Sequence, residues 1–322
     1  MKWHNEFPRL DFSSNDSIPD LAITALDSWG AITLSGEQSK AYLQGQVTCD
    51  VVSLEQSNFT FGAHCDAKGK VWSAFRLFYH HSNLTMFQPK ELIEKELSEL
   101  KKYAIFSKVE LEQSDDIALG LMGSLSTEFV DSITTERGDV RSIGQGTAVR
   151  VDNQRWLLLL TQAAAMDTLN TTEATRVSEE LWTLLEIKSA SPLLTREQQL
   201  EHIPQALNLH ALDGISFTKG CYTGQETVAR AKYRGTNKRS LALLHGECHQ
   251  EPDANAELER AVGENWRGAG KIIAHYRFND NKLLALVVLP NNLEQDTHFR
   301  VKDIPTSVLN FSPLPYSLEE ND

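Results

Sequence analysis

One short segment of the chain combines residue types that could do chemistry: Lys219-Gly220-Cys221-Tyr222-Thr223-Gly224-Gln225-Glu226. Thr223 and Glu226 have the spacing of a capping box, so Thr223 is predicted to be the N-cap of a helix that continues through Val228 and Ala231. Cys221 would then lie near the helix N-terminus, whose free N–H groups and partial positive charge stabilise a thiolate. The spacing therefore makes Cys221 a candidate functional thiol.

The neighbours of Cys221 could assist it. Lys219 lies two positions away and could add positive charge to a thiolate. Gly220 and Gly224 would let the backbone approach a ligand closely. An ordinary turn with an incidental, partly buried cysteine would show the same spacing, because capping boxes are common. The residues alone leave both interpretations open.

A cluster of positive charge follows this motif. Five cations and no acid lie within residues 230–239, in a chain whose net charge is −13: Arg230, Lys232, Arg234, Lys238 and Arg239. One interpretation is a solvated charged face. The other is an anion site for a glutamate tail, a phosphate or RNA, where Tyr233 could stack on a base or ring.

Two tryptophans form a second candidate group. Trp29 and Trp182 could each stack against a flat heteroaromatic ligand while the indole N–H finds a polar partner. Simple packing in the core is the competing interpretation for each. The sequence predicts no metal site, because the four cysteines form no Cys-x-x-Cys pair and have no histidine at zinc-finger spacing.

Composition limits the class of protein. The chain has 322 residues, of which 41% are hydrophobic and 23% charged, as expected for two or three globular domains. No stretch of about 18 apolar residues occurs, so no membrane span is predicted. The start Met1–Pro8 lacks the apolar run of a signal peptide. We therefore expect a cytoplasmic protein that binds nucleic acid only through a local basic patch.

Periodicity predicts α+β elements through residue 187. The predicted strands and turns are a strand at Ala31–Leu34, a turn at Asp66–Gly69 followed by a strand at Val71–Tyr79, and a hairpin joining residues 148–151 to 156–161. The predicted helices are one that Ser35–Gln38 open as a capping box and that ends at Gln44, one after Pro89, and one at Glu179–Ile187. Residues 1–25 read as a surface arm.

The character of the sequence changes after Arg239. Short apolar runs recur at residues 241–244, 270–275, 283–289 and 299–301, with turns between them. Apart from a weak helix near Ala254–Val262, no helix is predicted in this part. The pattern is typical of a small all-β barrel or sandwich.

The octapeptide at residues 219–226 resembles the signature of the YgfZ family of folate-binding, tRNA-modifying proteins. The resemblance extends from about Leu26 to the C-terminal barrel. It includes Tyr42–Thr48, Cys65–Lys70, Ile203–Leu209, Val228–Lys232, Arg234–Gly235 and Asn237–Arg239.

That family is similar in fold to the T-protein of the glycine cleavage system, a tetrahydrofolate-dependent aminomethyltransferase. The resemblance implies an α+β fold with three domains in a cloverleaf around a folate channel. Residues 1–55 and 115–235 would form a discontinuous folate-binding core. Residues 56–114 would form a ferredoxin-like part, and residues 236–322 a C-terminal β-barrel.

The resemblance also implies a site. Trp29 and Trp182 correspond by position to the family's folate contacts, and Cys221 to its signature cysteine. Lys219 would assist the thiol, supported by Gly220, Tyr222, Thr223, Gly224, Gln225, Glu226 and Arg230. The implied ligand is folate, as tetrahydrofolate or a one-carbon derivative.

The implied roles are tRNA methylthiolation, upkeep of iron–sulfur enzymes and regulation of replication initiation. Iron–sulfur tRNA-modifying enzymes would be functional partners of a monomer, and residues 230–239 could contact tRNA directly.

One departure from the T-protein bears on catalysis. Those transferases carry a catalytic acid on the strand after the glycine turn, and here the stretch Val71–Arg76 has no carboxylate. Proton transfer needs a group of suitable pKa within reach, so the missing carboxylate argues against aminomethyl transfer and leaves folate binding open.

Three hypotheses for the function remain: a folate-binding accessory factor, a one-carbon transferase, and a thiol protein that handles sulfur or iron.

Overall fold

The computed structural model describes residues 6–318. Its strands are β1 (Ala22–Ala25), β2 (Trp29–Ser35), β3 (Thr60–Cys65), β4 (Val71–His80), β5 (Asn83–Pro89), β6 (Glu110–Gln113), β7 (Ile117–Met122), β8 (Val140–Ser142), β9 (Gly146–Asp152), β10 (Arg155–Leu160), β11 (Thr175–Arg176), β12 (Arg239–Glu247), β13 (Glu257–Val262), β14 (Asn265–Arg277), β15 (Lys282–Pro290), β16 (Phe299–Val301) and β17 (Ile304–Ser312). Its helices are α1 (Ser39–Gln44), α2 (Lys90–Ala104), α3 (Ser126–Ile133), α4 (Gln162–Thr171), α5 (Glu179–Lys188) and α6 (Gln225–Tyr233).

These strands form a six-stranded sheet, a five-stranded sheet and a closed barrel. The six-stranded sheet has the order β11-β1-β7-β10-β9-β8, and the five-stranded sheet has the order β3-β4-β5-β2-β6. The barrel closes in the order β12-β15-β14-β13-β16-β17. The predicted α+β architecture with a C-terminal barrel is confirmed.

The five-stranded sheet packs one face against α2. The helix begins after Pro89 as predicted, and its buried residues Leu92, Ile93 and Leu100 recur at helical spacing. The predicted turn at Asp66–Gly69 is also confirmed: the Asp66 carboxylate accepts hydrogen bonds from the backbone N–H groups of Lys68 and Lys70. Strand β4, which follows this turn, lies in the interior of the sheet between β3 and β5.

The six-stranded sheet contains the predicted hairpin, formed by β9 and β10. The predicted helix at residues 179–187 is confirmed as α5. The N-terminal prediction of a surface arm is wrong for the described part of that segment. Phe7 and Phe12 are buried, and β1 pairs with β7 and β11. Residues 1–5 lie outside the described part of the chain.

Two predicted helix signals are wrong. The Ser35–Gln38 capping box does not form, because Ser35 ends β2 and pairs with Glu110; the N-cap of α1 is Gln38, without a side-chain bond. The weak helix near Ala254–Val262 is instead strand β13, which pairs with β14 and β16. A barrel leaves no edge only when every strand is paired on both sides, so tertiary pairing overrides the local helix preference here.

The two strands at the start of the described chain belong to different sheets. Strand β2 pairs with β5 and β6 of the five-stranded sheet. Strand β1 belongs to the six-stranded sheet. Within residues 6–318, no helix is both long and apolar enough to cross a membrane.

Candidate functional site

A cleft beside the five-stranded sheet is lined by aromatic rings and one arginine. Arg76 pairs across β3 and β5 with Phe61 and Phe87, and paired residues share a face of a sheet. Trp29 stacks on Phe87, with ring centroids 5.2 Å apart and planes 7° from parallel. The Arg76 guanidinium lies 5.9 Å from the Trp29 ring and 5.0 Å from the Phe61 ring. Residues 191–193 complete the lining.

Arg76 belongs to a buried ion network. Its Nη2 donates to both oxygens of Glu186, at 2.8 and 3.0 Å, and Arg155 Nη1 donates to Glu186 Oε1 at 2.9 Å. Burial alone would raise the pKa of Glu186, but the Arg76 and Arg155 guanidiniums hold it below its usual range. Asp152 also pairs with Arg155, at 2.7 Å. The two buried arginines therefore share one buried anion, Glu186, and Arg155 also pairs with the exposed Asp152.

Trp182 lies behind this network. It is fully buried, and the Arg155 guanidinium lies 5.1 Å from its ring. Its indole Nε1–H has no hydrogen-bond partner within residues 6–318, whereas the indole of buried Trp156 donates to Thr127. The two predicted tryptophans are thus connected through Arg155, Glu186 and Arg76, but only Trp29 lines the cleft.

Sequence reasoning missed Arg76, Arg155 and Glu186. One signal was available for Glu186: it lies between Leu185 and Ile187 on the apolar part of a predicted helix. A buried acid at such a position needs a paired cation. The partners lie 110 and 31 residues away in sequence, so local spacing could not identify them.

The second candidate site is the Cys221 loop, residues 216–224, which precedes α6. Cys221 is exposed, whereas the other three cysteines, Cys49, Cys65 and Cys248, are buried. Burial raises the pKa of Cys49 to about 12, against the opposing effect of the nearby Lys219 charge. Cys221 is therefore the accessible thiol among the four.

Hydrogen bonds connect the Cys221 loop to residues 45–49. The Ser216 N–H donates to the Thr48 carbonyl at 2.9 Å, and the Thr223 N–H donates to the Gly45 carbonyl at 3.2 Å. The Lys219 amine donates to the carbonyls of Val47 and Cys49, at 2.8 and 2.6 Å. These bonds direct the amine to the segment beneath the loop.

Lys219 has an altered acidity in this position. Burial lowers the pKa of its amine to about 8, although the charges of Cys49 and Asp50 act in the opposite direction. An amine with a pKa of about 8 still carries its proton in most molecules at pH 7. Lys219 therefore fixes the loop, and no hydrogen bond between it and Cys221 occurs among the described contacts.

The helix start after Cys221 differs from the prediction. Thr223 is not the N-cap of α6; Gly224 is, in a left-handed conformation with φ of 83° and no side-chain cap. Glu226 pairs with Arg230 and does not reach back to form a capping box. Gly224 takes this role because a Cβ there would lie 2.6 Å from the Asp66 carbonyl oxygen. Gly220, by contrast, faces open space.

Four stretches singled out in the sequence meet around this loop. Residues 42–48 bond to it, residues 65–70 pack against Gly224, and residues 203–209 reach α6 through Gln205, whose amide donates to the Val228 carbonyl at 2.7 Å. The fourth is the octapeptide itself, in which Tyr222 is buried while Gln225 and Glu226 begin α6. The motif residues are therefore mainly the scaffold that presents Cys221.

The side chains of the basic segment 230–239 differ in their contacts and exposure. Arg230 pairs with Glu226, and Lys232 lies 4.1 Å over the Phe217 ring. Tyr233 is 70% exposed, and Arg234 and Lys238 are also exposed. A ring and several cations thus face solvent along α6 and the segment after it.

A group of possible metal ligands also occurs outside both candidate sites. Ligand atoms of His80, His81 and Asp116 lie within 4.8 Å of one another. His80 already uses both ring nitrogens, with Thr147 and Asp116 each at 2.8 Å. The sequence prediction of no metal site did not consider this group, because Asp116 is remote in sequence from the histidine pair.

The fold defines the class of protein. The structure is similar to the glycine cleavage system aminomethyltransferase T from Bartonella henselae, with a TM-score of 0.69 over 92% of this chain and 86% of that chain. The two share 12% sequence identity, so the likeness concerns the fold alone. The three-sheet architecture is therefore aminomethyltransferase-like, as predicted.

Sequence relatives identify the family. Residues 237–304 match the family model described as "YgfZ, beta-barrel domain". The chain is 52% identical to the "tRNA-modifying protein YgfZ" of Vibrio atlanticus, over 99% of this chain and 100% of that protein. It is 40% identical to the protein of the same name from Yersinia pestis, over the full length of both. The chain belongs to the YgfZ family.

Proposed function

We propose that this protein is a folate-binding accessory factor for tRNA modification. It binds tetrahydrofolate or a one-carbon derivative in the cleft, and it uses the exposed Cys221 thiol to support methylthiolation of tRNA by iron–sulfur enzymes. The name shared by its relatives, "tRNA-modifying protein YgfZ", supports the tRNA part. The proposal includes upkeep of iron–sulfur enzymes, regulation of replication initiation, a cytoplasmic location and a monomeric state.

The observation that carries the folate part is a pair of buried donors without partners. Arg76 Nε and Trp182 Nε1 have no hydrogen-bond acceptor within residues 6–318, and leaving such a group unpaired costs about 1–3 kcal/mol. Arg76 lies against the ring of Trp29 in the cleft. Folate supplies a flat ring for Trp29 and an acceptor atom for Arg76 Nε. The cleft encloses about 10 Å³, so its lining must open before the ring can enter and before Trp182, which lies behind it, can be reached.

The chemistry of the cleft favours binding over one-carbon transfer. Strand β4 places Arg76 in the cleft, and Glu186 is held in its ionised form by two arginines. A carboxylate engaged in this way is a poor proton acceptor. A tetrahydrofolate-dependent transferase is the second candidate, and turnover of a one-carbon donor by the purified protein would favour it.

A thiol protein that handles sulfur or iron is the third candidate. The exposure of Cys221, in contrast with the three buried cysteines, favours it. In that case folate would act only as a regulator. Rapid alkylation of Cys221 in the purified protein, followed as a function of pH, would favour this candidate.

The test is calorimetric titration of the purified protein with tetrahydrofolate. We expect saturable binding that Trp29→Ala weakens by about tenfold, ~1.4 kcal/mol, and that Trp29→Phe partly restores. Trp266→Phe in the barrel is the matched control, because Trp266 is partly exposed and lies outside the cleft. Absence of binding by the unaltered protein would refute the folate part of the proposal.

Trp182 needs a different variant. Because it is fully buried, Trp182→Ala would leave a large cavity and cost about 3–5 kcal/mol, so weaker binding could reflect loss of the fold. Trp182→Phe keeps most of the volume and removes the indole N–H. We expect it to weaken folate binding with a small change in melting temperature. Unchanged affinity would show that Trp182 serves packing alone.

A further inference from the structure

The end of α2 and the turn after it expose apolar rings among lysines. This segment, the 101–108 turn, reads Lys101-Lys102-Tyr103-Ala104-Ile105-Phe106-Ser107-Lys108. Phe106 is 98% exposed, Ile105 is 75% exposed and Tyr103 is 57% exposed. The segment contains three lysines and no acid, in a chain of net charge −13. Contiguous exposed apolar side chains of this kind mark interaction sites.

The backbone of the 101–108 turn is held in place. The Ser107 N–H donates to the Ala104 carbonyl at 2.9 Å, and the Lys108 N–H donates to the Gln38 side chain at 2.6 Å. The Gln38 N–H in turn donates to the Lys108 carbonyl at 3.2 Å. The turn is thus anchored at its end, and Phe106 points outward without contributing to the core.

The chemistry of the turn fits unpaired nucleotides. Exposed aromatic rings stack on bases that are free of a duplex, and lysines neutralise the adjoining phosphates. Lys102 pairs with Glu99 at 2.7 Å and Lys108 with Glu37 at 3.2 Å, but both lysines are more than half exposed. Exposed pairs of this type contribute little, about 0–1 kcal/mol, so replacing the carboxylate by a phosphate would cost little.

We propose that the 101–108 turn is a contact site for single-stranded RNA, with Phe106 and Tyr103 stacking on bases of a tRNA loop. This inference rests on the tRNA part of the proposed function and deepens it by naming the class of partner and the place of contact. The site is separate from the 230–239 basic segment, in which Tyr233 offers the exposed ring.

The experiment measures binding of the full chain to three labelled RNAs: a tRNA transcript, an unstructured oligonucleotide and a fully paired duplex. We expect Phe106→Ala to weaken binding to the first two by about tenfold and to leave duplex binding unchanged, because paired bases cannot stack on the ring. The melting temperature should stay within error, since the ring is exposed. Val308→Ala, an exposed apolar position of the barrel, is the matched control.

A second variant tests the charges. Removing Lys101 and Lys102 together should reduce the salt dependence of tRNA binding, because fewer counterions are released. Tyr233→Ala distinguishes the two basic segments. If Tyr233→Ala weakens tRNA binding about tenfold and Phe106→Ala leaves it unchanged, the inference is overturned. So would a wild-type protein that binds no tRNA.

Other partners give distinct results. If Phe106→Ala binds RNA normally but stops tRNA methylthiolation in cells, the turn contacts a protein, and the RNA inference fails. Sedimentation with phosphatidylglycerol vesicles that requires Phe106 would likewise overturn it in favour of a membrane. Folate titration of Phe106→Ala separates this inference from the folate proposal, because the cleft should bind folate normally in that variant.

Discussion

The cleft and the Cys221 loop present their functional groups in different ways. In the cleft, side chains paired across neighbouring strands place Arg76 between aromatic rings and over a buried carboxylate. In the loop, backbone bonds and close glycine packing hold the chain while the thiol faces solvent. The cleft is a site defined by buried side chains, and the loop is a site defined by backbone shape. Substitutions should therefore affect the two in different ways.

The largest expected effect on stability is in the cleft. Glu186→Ala removes the anion between two buried arginines and leaves Arg76 unpaired, so we expect the free energy of unfolding to fall by about 3–5 kcal/mol. Urea denaturation measures this change. Glu226→Ala removes an exposed carboxylate that also pairs with an arginine and should cost less than about 1 kcal/mol. If both variants lose a similar free energy of unfolding, the buried ion pairs of Glu186 do not stabilise the cleft.

The next effect concerns the backbone of the loop. Gly224→Ala places a Cβ 2.6 Å from a carbonyl oxygen at a φ of 83°, so we expect a loss of about 2 kcal/mol. Gly220→Ala is the matched control, because nothing lies within 4 Å of a Cβ at that position. Its effect should stay within about 0.5 kcal/mol. Equal melting temperatures for Gly224→Ala and Gly220→Ala would show that the backbone conformation at Gly224 does not stabilise the loop.

A smaller effect depends on pH. Burial lowers the pKa of the Lys219 amine to about 8 in the folded protein, against about 10.4 for a lysine in the unfolded chain. Between these values the unfolded chain binds more protons, so the contribution of Lys219 to stability rises with pH, by on the order of 1 kcal/mol after allowance for partial exposure.

The measurement is urea denaturation of the unaltered protein and of Lys219→Met at several pH values between 8 and 10.5. The stability difference should shift in favour of the unaltered protein as the pH rises. A difference that is constant across this range would mean that the amine titrates as an ordinary lysine.

The smallest effect on stability should accompany the largest effect on function. Cys221→Ala changes an exposed side chain, so we expect the free energy of unfolding to change by less than about 0.5 kcal/mol. We expect tRNA methylthiolation to be lost in cells that carry this variant in place of the natural protein. Cys248→Ala, at a buried cysteine of the barrel, controls for general loss of a thiol. Full activity of the Cys221→Ala strain would remove the thiol from the proposed function.

The spacing of apolar residues and turn residues predicted those helices and hairpins whose formation depends on neighbouring residues in the sequence. Helix α2 follows from its apolar spacing after Pro89, and the β9–β10 hairpin follows from two apolar runs around a turn. The helix caps were predicted poorly. Thr223 has suitable chemistry, yet Gly224 becomes the N-cap because it packs against residues 65–69. That contact joins segments more than 150 residues apart, beyond the reach of local spacing.

The same distinction between local and long-range contacts applies to the residues of the candidate site. Cys221 and Trp29 could be selected from residue type and resemblance, and the structure places one in the exposed loop and the other in the cleft. The acid that organises the cleft, Glu186, had one sequence signal, its place among apolar residues, but its partners could not be predicted because they come from two distant strands.

The shared carboxylate also has a consequence for how the molecule opens. Glu186 binds Arg76 from the five-stranded sheet and Arg155 from the six-stranded sheet, so separating either sheet from α5 removes one of the two cations that neutralise this buried carboxylate. Opening of either sheet therefore carries an electrostatic cost in addition to the loss of packing. Amide protons of β4 and β10 should exchange with solvent at similar rates, as members of one cooperative unit.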